Sequence, residues 1–249
     1  MSFKDHFSGH AAEYAQFRPE YPTELFKYLT SIAPGRAQAW DCATGNGQAA
    51  IALASHFSRV IATDASAQQI ANARQHDRVE YRVATAEASG LDDNSIDLIT
   101  VAQALHWFDL PRFFSEATRV LKSRGAIAVW AYNLLQAGKE IDAIIRRFYR
   151  ETTDAFWPPE RSIVEAGYRT INFPFQELQP PGFEMRTRWN LDQLLGYLRT
   201  WSATKKFIAA RGFDPLDDVA AEMRAFWPQR EAAREMKWPL HLRVGICLK

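Results

Sequence analysis

The chain has 249 residues, 47% hydrophobic and 24% charged, the profile of a water-soluble globular protein with one substantial core rather than a fibrous or low-complexity chain. Lys and Arg number 30 against 29 Asp and Glu, and the resulting formal charge of +1 argues against nucleic acid or an anionic membrane and for a small-molecule partner. Two cysteines, Cys42 and Cys247, make no disulfide framework and read as buried small residues in a reducing compartment. The first residues lack the apolar run of a signal peptide and no segment approaches 18 apolar residues, so a cytoplasmic location is expected.

In chain order, residues 1–36 are expected to supply a lid and a helix, stiffened by Pro19 and Pro22. Residues 37–131 alternate short β-branched runs with helical patterns, which predicts a parallel sheet with crossover helices. Strands are predicted over 37–43, 59–63, 79–85, 96–102 and 126–131, and helices over 47–56, 66–75 and 111–121, with Ser66 as an N-cap. Residues 132–181 read as a helical insertion over the binding end of the sheet, in which "IIRRFYR" is a solvated helix face rather than an anion patch. Residues 182–249 carry two further strands, "FEMRTRW" and "LHLRVGICL", with helices over 191–201 and 215–227. The whole is expected to be a single α/β domain with a seven-stranded, mostly parallel sheet and helices on both faces.

The stretch "WDCATGNGQ", residues 40–48, is the first strand-loop-helix unit, where an open α/β sheet binds its ligand. Gly45 and Gly47 permit a tight turn and close approach. Asp64 follows Gly45 by 19 residues, the spacing at which a carboxylate reaches ribose hydroxyls. Gly45, Gly47, Ala50 and Asp64 also fit a nicotinamide dinucleotide, so a NAD(P)-dependent oxidoreductase is a rival reading. Asp41 opposes it. A carboxylate about 4 Å from a pyrophosphate costs roughly 4 kcal/mol at an effective dielectric near 20, and the same interaction turns favourable beside a cation.

The chain resembles the class I S-adenosylmethionine-dependent methyltransferases, and within them the group that includes trans-aconitate methyltransferase. The resemblance rests on "FSGHAAEYAQFRPEYP", "WDCATGNGQ", "VIATDAS", "ATAEASGLDDNSIDLITVAQALHWFD" and "VLKSRGAIAVW". It implies a Rossmann-like fold, S-adenosylmethionine as cofactor with no metal, and methyl transfer to a small molecule, most readily to an oxygen. A non-catalytic module that binds the same cofactor is the other alternative, and the oligomeric state, monomer or homodimer, stays open. The family pattern places Asp41, Ala43, Gly45 and Gly47 around the methionine moiety and Asp64 on the ribose. It sets Ala65 and Ile70 beside the adenine, Ala86 and Glu87 near its amine, and Gln103 and Ala104 at the pocket edge. Ala43 stands where glycine is commonest, and its Cβ leads to the expectation of a negative φ there. Arg18 is expected on the methionine carboxylate or an acidic substrate. Tyr14 either faces the sulfonium or packs in the core.

His106, Trp107 and Phe108 are expected to face the transferred methyl together with Tyr21. His106 is the candidate base toward a hydroxyl, or a pocket-lining residue, since a carboxylate acceptor needs no base. "LLGYLRTWSA" adds Tyr197, Arg199, Thr200 and Trp201 as substrate-side candidates.

Overall fold

The computed structural model describes residues 19–249. The sheet is built from β1 (Gln38–Cys42), β2 (Arg59–Asp64), β3 (Val79–Val83), β4 (Ile96–Ala102), β5 (Leu121–Tyr132), β6 (Gln176–Leu178), β7 (Glu184–Trp189) and β8 (Arg234–Ile246). Its order is β3-β2-β1-β4-β5-β8-β6, with β7 pairing the other half of β8 as an eighth strand, one more than expected. Strands β1 to β5 are mutually parallel, and β8 runs antiparallel to β5, β6 and β7.

The chain leaves β1 toward β2 and β3, then returns on the other side of β1 as β4. Loops leaving β1 and β4 therefore diverge and open a crevice at their carboxyl ends, the topological switch point of an open α/β sheet.

Alternating side chains along the buried strands divide between two cores. On β5, Ala126, Ala128 and Trp130 enter one core while Ile127, Val129 and Ala131 enter the other, the period of two that a pleated strand imposes. The first core receives α1 (Thr23–Ile32) through Leu25, Phe26 and Leu29, and α2 (Gln48–Ala54) through Ala49, Ala50 and Leu53. The second receives α4 (Leu110–Val120) through Phe113, Ala117 and Val120, each spaced to fall on one helical face. Asp109 caps α4 by accepting from the Arg112 amide at 3.3 Å.

Two expectations need correction, and two elements were not expected. The helix expected over 66–75 is α3 (Ala67–Ala71); Ser66 caps it as expected, but the Asn72 amide group bonds back to the Gln68 carbonyl and the Arg74 N–H turns to Asn46. Strand β8 is 13 residues long because Pro239, which reads as a strand breaker, lies within its pairing with β7 at Glu184. Helix α8 (Ser202–Arg211) has no sequence signal, since its apolar residues do not gather on one face. Strand β6 is three residues set between prolines 174 and 180, below the length at which alternation is legible.

The insertion holds α5 (Lys139–Arg147), a wide helical turn at 148–152 and α6 (Arg161–Glu165), as expected. Helices α7 (Leu191–Arg199) and α9 (Leu216–Phe226) fall where the sequence predicts them. Among the described residues no helix is long and apolar enough to cross a membrane, and both cysteines are buried and free.

Candidate functional site

The loop after β1 begins with Ala43 at φ 55, in the left-handed region, so the expectation of a negative φ is wrong. The turn is retained and the alanine bears the strain, about 1–2 kcal/mol for a residue with a Cβ. Gln103, at the end of β4, adopts the same conformation at φ 57. Two non-glycine residues thus hold sparsely populated backbone conformations at the two strand ends that border the crevice, the kind of strain that collects at functional sites.

Gly45 and Gly47 are also left-handed, at φ 57 and φ 84, yet they serve different purposes. Apart from Gly45 and its chain neighbours, no described residue comes within 4 Å of where a Gly45 Cβ would stand, so the loop keeps an open cradle there. At Gly47 a Cβ would collide with the Tyr81 hydroxyl. The close approach that sequence reasoning reserved for a ligand is made at Gly47 by a tyrosine, whose hydroxyl donates to the Arg74 carbonyl. Burial and the nearby Asp41 push the Tyr81 pKa up to about 12, so it stays a neutral wall.

Asp41 is fully buried at the end of β1. Its carboxylate accepts from the Thr44 hydroxyl at 2.5 Å and the Thr100 hydroxyl at 2.7 Å. Burial raises its pKa to about 6, against the lowering effect of those bonds and of the Ala50 amide. The charge therefore sits beneath the loop rather than in the open crevice, where its field still acts in a low-dielectric surround.

Asp64 ends β2, with Oδ2 accepting from Gly45 N at 2.9 Å and Oδ1 from Ser66 N at 2.9 Å. One carboxylate so ties the first loop to the second. Each oxygen has a second lone pair, which is what a ribose hydroxyl requires. Ala65 and Ile70 lie half-buried beside it, and Ala86 is buried beyond β3. Glu87 Oε1 accepts from Asp109 N at 2.9 Å, joining the loop after β3 to the start of α4.

At the β4 end, Gln103 clasps the end of β5: its Oε1 accepts from Tyr132 N at 2.8 Å and its Nε2 donates to Tyr132 O at 3.1 Å. Its side chain, not merely its backbone, shapes this edge. Ala104 is nearly buried. His106 Nδ1 shares a hydrogen bond of 3.1 Å with the Tyr168 hydroxyl, and its ring lies 4.5 Å from that of Trp107. Burial, and then the charge of Arg161, lower the His106 pKa to about 3. Tyr168, fully buried and itself at φ 60, has its pKa pushed far above the phenolic range by burial, so it keeps its proton. Phe108 packs against Phe113 at 4.8 Å.

Tyr21 stands edge-on to Trp130 at 5.3 Å and close enough to Tyr168 to affect it electrostatically. Tyr197 and Trp201 lie in an aromatic core with Trp189, Trp238 and Phe148. Tyr197 accepts from the Trp238 indole at 3.2 Å. Trp201 reaches the insertion through Tyr149 and Trp157, whereas Arg199 is exposed and paired with Asp214. Tyr14 and Arg18 lie outside the described residues. The cations of "IIRRFYR" are solvent-facing, with Arg147 paired to Glu222 and Arg150 to Glu165.

Sequence reasoning missed Thr44, Thr100, Tyr81, Tyr168, Arg161 and Trp157. Thr100 was legible in principle, since it sits opposite Asp41 once β1 and β4 are placed in register. Thr44 was also within reach of a local reading, three residues after Asp41 in the same loop; the remaining four come from long-range packing and leave no local signal.

An open cradle at Gly45, a sugar-competent carboxylate at its rim and a buried anion beneath it fit a nucleoside bearing positive charge. The profile of a family described as "Methyltransferase domain" matches residues 40–129. A Dictyostelium discoideum protein named as a methyltransferase is 35% identical over 221 residues, covering 87% of this chain and 84% of that one. A solved structure from Anaeromyxobacter dehalogenans, named as a type II methyltransferase, aligns with TM-score 0.88 at 44% identity, covering 93% of this chain and 98% of that chain. The fold is also shared, at TM-score 0.50 and 17% identity, with a Haemonchus contortus phosphoethanolamine N-methyltransferase 2 solved with S-adenosyl-L-methionine, over 97% of this chain and 57% of that one.

Proposed function

The chain belongs to the class I S-adenosylmethionine-dependent methyltransferases, and from that premise we propose that it methylates a small molecule on oxygen, with a carboxylate preferred over a hydroxyl. When bound, S-adenosylmethionine supplies a methyl group already activated by the sulfonium leaving group. Asp64 and the backbone of Gly45 are suited to hold the nucleoside, and Asp41 stabilises positive charge above it. The remaining task of the chain is to align a nucleophile in line and exclude water.

The observation that carries the oxygen reading is the placement of His106, half-buried with Nδ1 engaged by the Tyr168 hydroxyl at 3.1 Å. With a pKa near 3 it is neutral and weakly basic, so it is a poor acceptor for the proton of an alcohol or an ammonium. Its bond to Tyr168 suits it to orient an acceptor rather than deprotonate one. A carboxylate arrives ionised at neutral pH and needs no base. The likeness of the quoted motifs to the trans-aconitate group supports the same acceptor chemistry.

The test is to incubate the protein with S-adenosylmethionine and, separately, carboxylic acids, phenols and amines, and to follow S-adenosylhomocysteine. Carboxylic acids are expected to give product that releases methanol in alkali, as methyl esters do. Turnover confined to amines overturns the reading.

A further inference from the structure

Arg161, at the start of α6 in the insertion, is held on two aromatic faces, 4.9 Å from the Trp157 ring centroid and 5.4 Å from that of Tyr149. Its Nε donates to the Tyr149 hydroxyl at 2.8 Å. Glu165, one turn along, accepts from the same hydroxyl at 2.5 Å and pairs with Arg150, and Arg161 forms no ion pair with any carboxylate among the described residues. The two terminal nitrogens, the fork that matches a carboxylate, are left without a hydrogen bond to the described chain. The neighbouring Trp157 Nε1 is buried and has no hydrogen-bond partner among the described residues, a condition that costs about 1–3 kcal/mol per group. The arginine's charge reaches the methyl-transfer end of the sheet, since it acts on both His106 and Tyr168. A groove of about 370 Å³, which Trp157 lines and Arg161 adjoins in sequence without lining, is bordered by Phe156, Pro158, Lys206 and the single carboxylate Glu160.

An arginine preorganised by two rings, with an orphan N–H next to it, is the arrangement that receives a planar anion. We propose that Arg161 and Trp157 form a subsite for a carboxylate of the methyl acceptor other than the atom that is methylated. The separation follows from chemistry: a carboxylate whose lone pairs are taken by a guanidinium is a weakened nucleophile, so the attacking oxygen belongs to a second group. The acceptor is accordingly a hydroxy acid or a dicarboxylic acid. This inference rests on the small-molecule reading of the site given above.

The test is calorimetry on the full chain saturated with S-adenosylhomocysteine, titrated with glutarate and 3-hydroxybenzoate and with their neutral amides. Each acid is expected to bind at least ten times more tightly than its amide. Arg161→Gln is expected to abolish that preference and Arg161→Lys to keep part of it. Trp157→Phe, which retains the ring and removes the N–H, should reduce it about threefold. S-adenosylhomocysteine binding in the variants should stay within twofold of the parent. Equal binding of acid and amide, no saturable binding of either acid, or a preference intact in Arg161→Gln overturns the subsite while leaving the cofactor reading standing. Should Arg161→Gln lose S-adenosylhomocysteine, Trp157→Phe decides, and an unchanged preference there overturns the subsite. Failure of the parent protein to bind S-adenosylhomocysteine overturns the reading on which the subsite rests.

Discussion

The Thr100 hydroxyl on β4 donates to the Asp41 carboxylate on β1 at 2.7 Å, across the point where strand order reverses. The two strands whose diverging loops open the crevice are thereby latched at its floor by the same group that carries its negative charge. Asp41→Asn keeps the size and much of the hydrogen bonding and removes the charge. We expect its affinity for S-adenosylhomocysteine, whose amino group is cationic, to fall by about tenfold, the effect of losing roughly 1.4 kcal/mol of attraction. Calorimetry at pH 7 checks this.

The pH dependence of that group has a defined sign. Its folded pKa, about 6, lies above the ordinary 3.8, so the protonated form is favoured in the fold. The linked stability is fully present below about pH 3.8 and is lost as pH rises through about 6, on the order of 3 kcal/mol for a shift of about two units. On the proposed reading, in which the Asp41 carboxylate attracts the cofactor's positive charge, S-adenosylhomocysteine affinity is expected to rise between pH 5 and 7 in the parent and to stay level in Asp41→Asn. A parallel rise in both proteins counts against the assignment.

His106 has the opposite sign. Its folded pKa is depressed from 6.5 to about 3, so the stability it contributes is present above about pH 6.5 and is lost as pH falls toward 3. With S-adenosylmethionine saturating at every pH, the turnover rate with a carboxylate acceptor is expected to show no inflection near pH 6.5, and His106→Asn to retain a pH profile of the same shape. An inflection near 6.5 that disappears in His106→Asn shows instead that the ring takes a proton.

The strained loop makes two stability predictions that differ in direction. Ala43→Gly removes a Cβ from a left-handed residue, and after the added freedom of the unfolded chain is counted it should stabilise the protein by about 0.5–1 kcal/mol. Gly47→Ala places a Cβ into the Tyr81 hydroxyl at φ 84 and should destabilise by about 2–3 kcal/mol. Adding Tyr81→Phe to Gly47→Ala should recover part of the loss. Urea denaturation of the four proteins checks all three statements.

Gln103→Ala removes both bonds to the Tyr132 backbone at the β5 end. A loss of about 1–3 kcal/mol is expected, because Tyr132 N–H loses a side-chain partner in a partly buried position. The looser rim should raise the KM for the acceptor more than it changes kcat.

The sequence by itself determined the crevice. Alternating apolar strands fix a parallel sheet, a turn rich in glycine after the first strand fixes its mouth, and the spacing of Asp64 puts a carboxylate at its rim, because these are local signals written in consecutive residues. Tertiary structure decided what surrounds the crevice. It placed Tyr81 over Gly47, His106 in a half-buried hydrogen bond with Tyr168, Tyr197 and Trp201 within an aromatic core, and Arg161 on two aromatic faces without an ion pair among the described residues. Each of those outcomes depends on strand register or on how the insertion packs over the sheet. Contacts between residues tens of positions apart set them, and no local periodicity encodes such contacts.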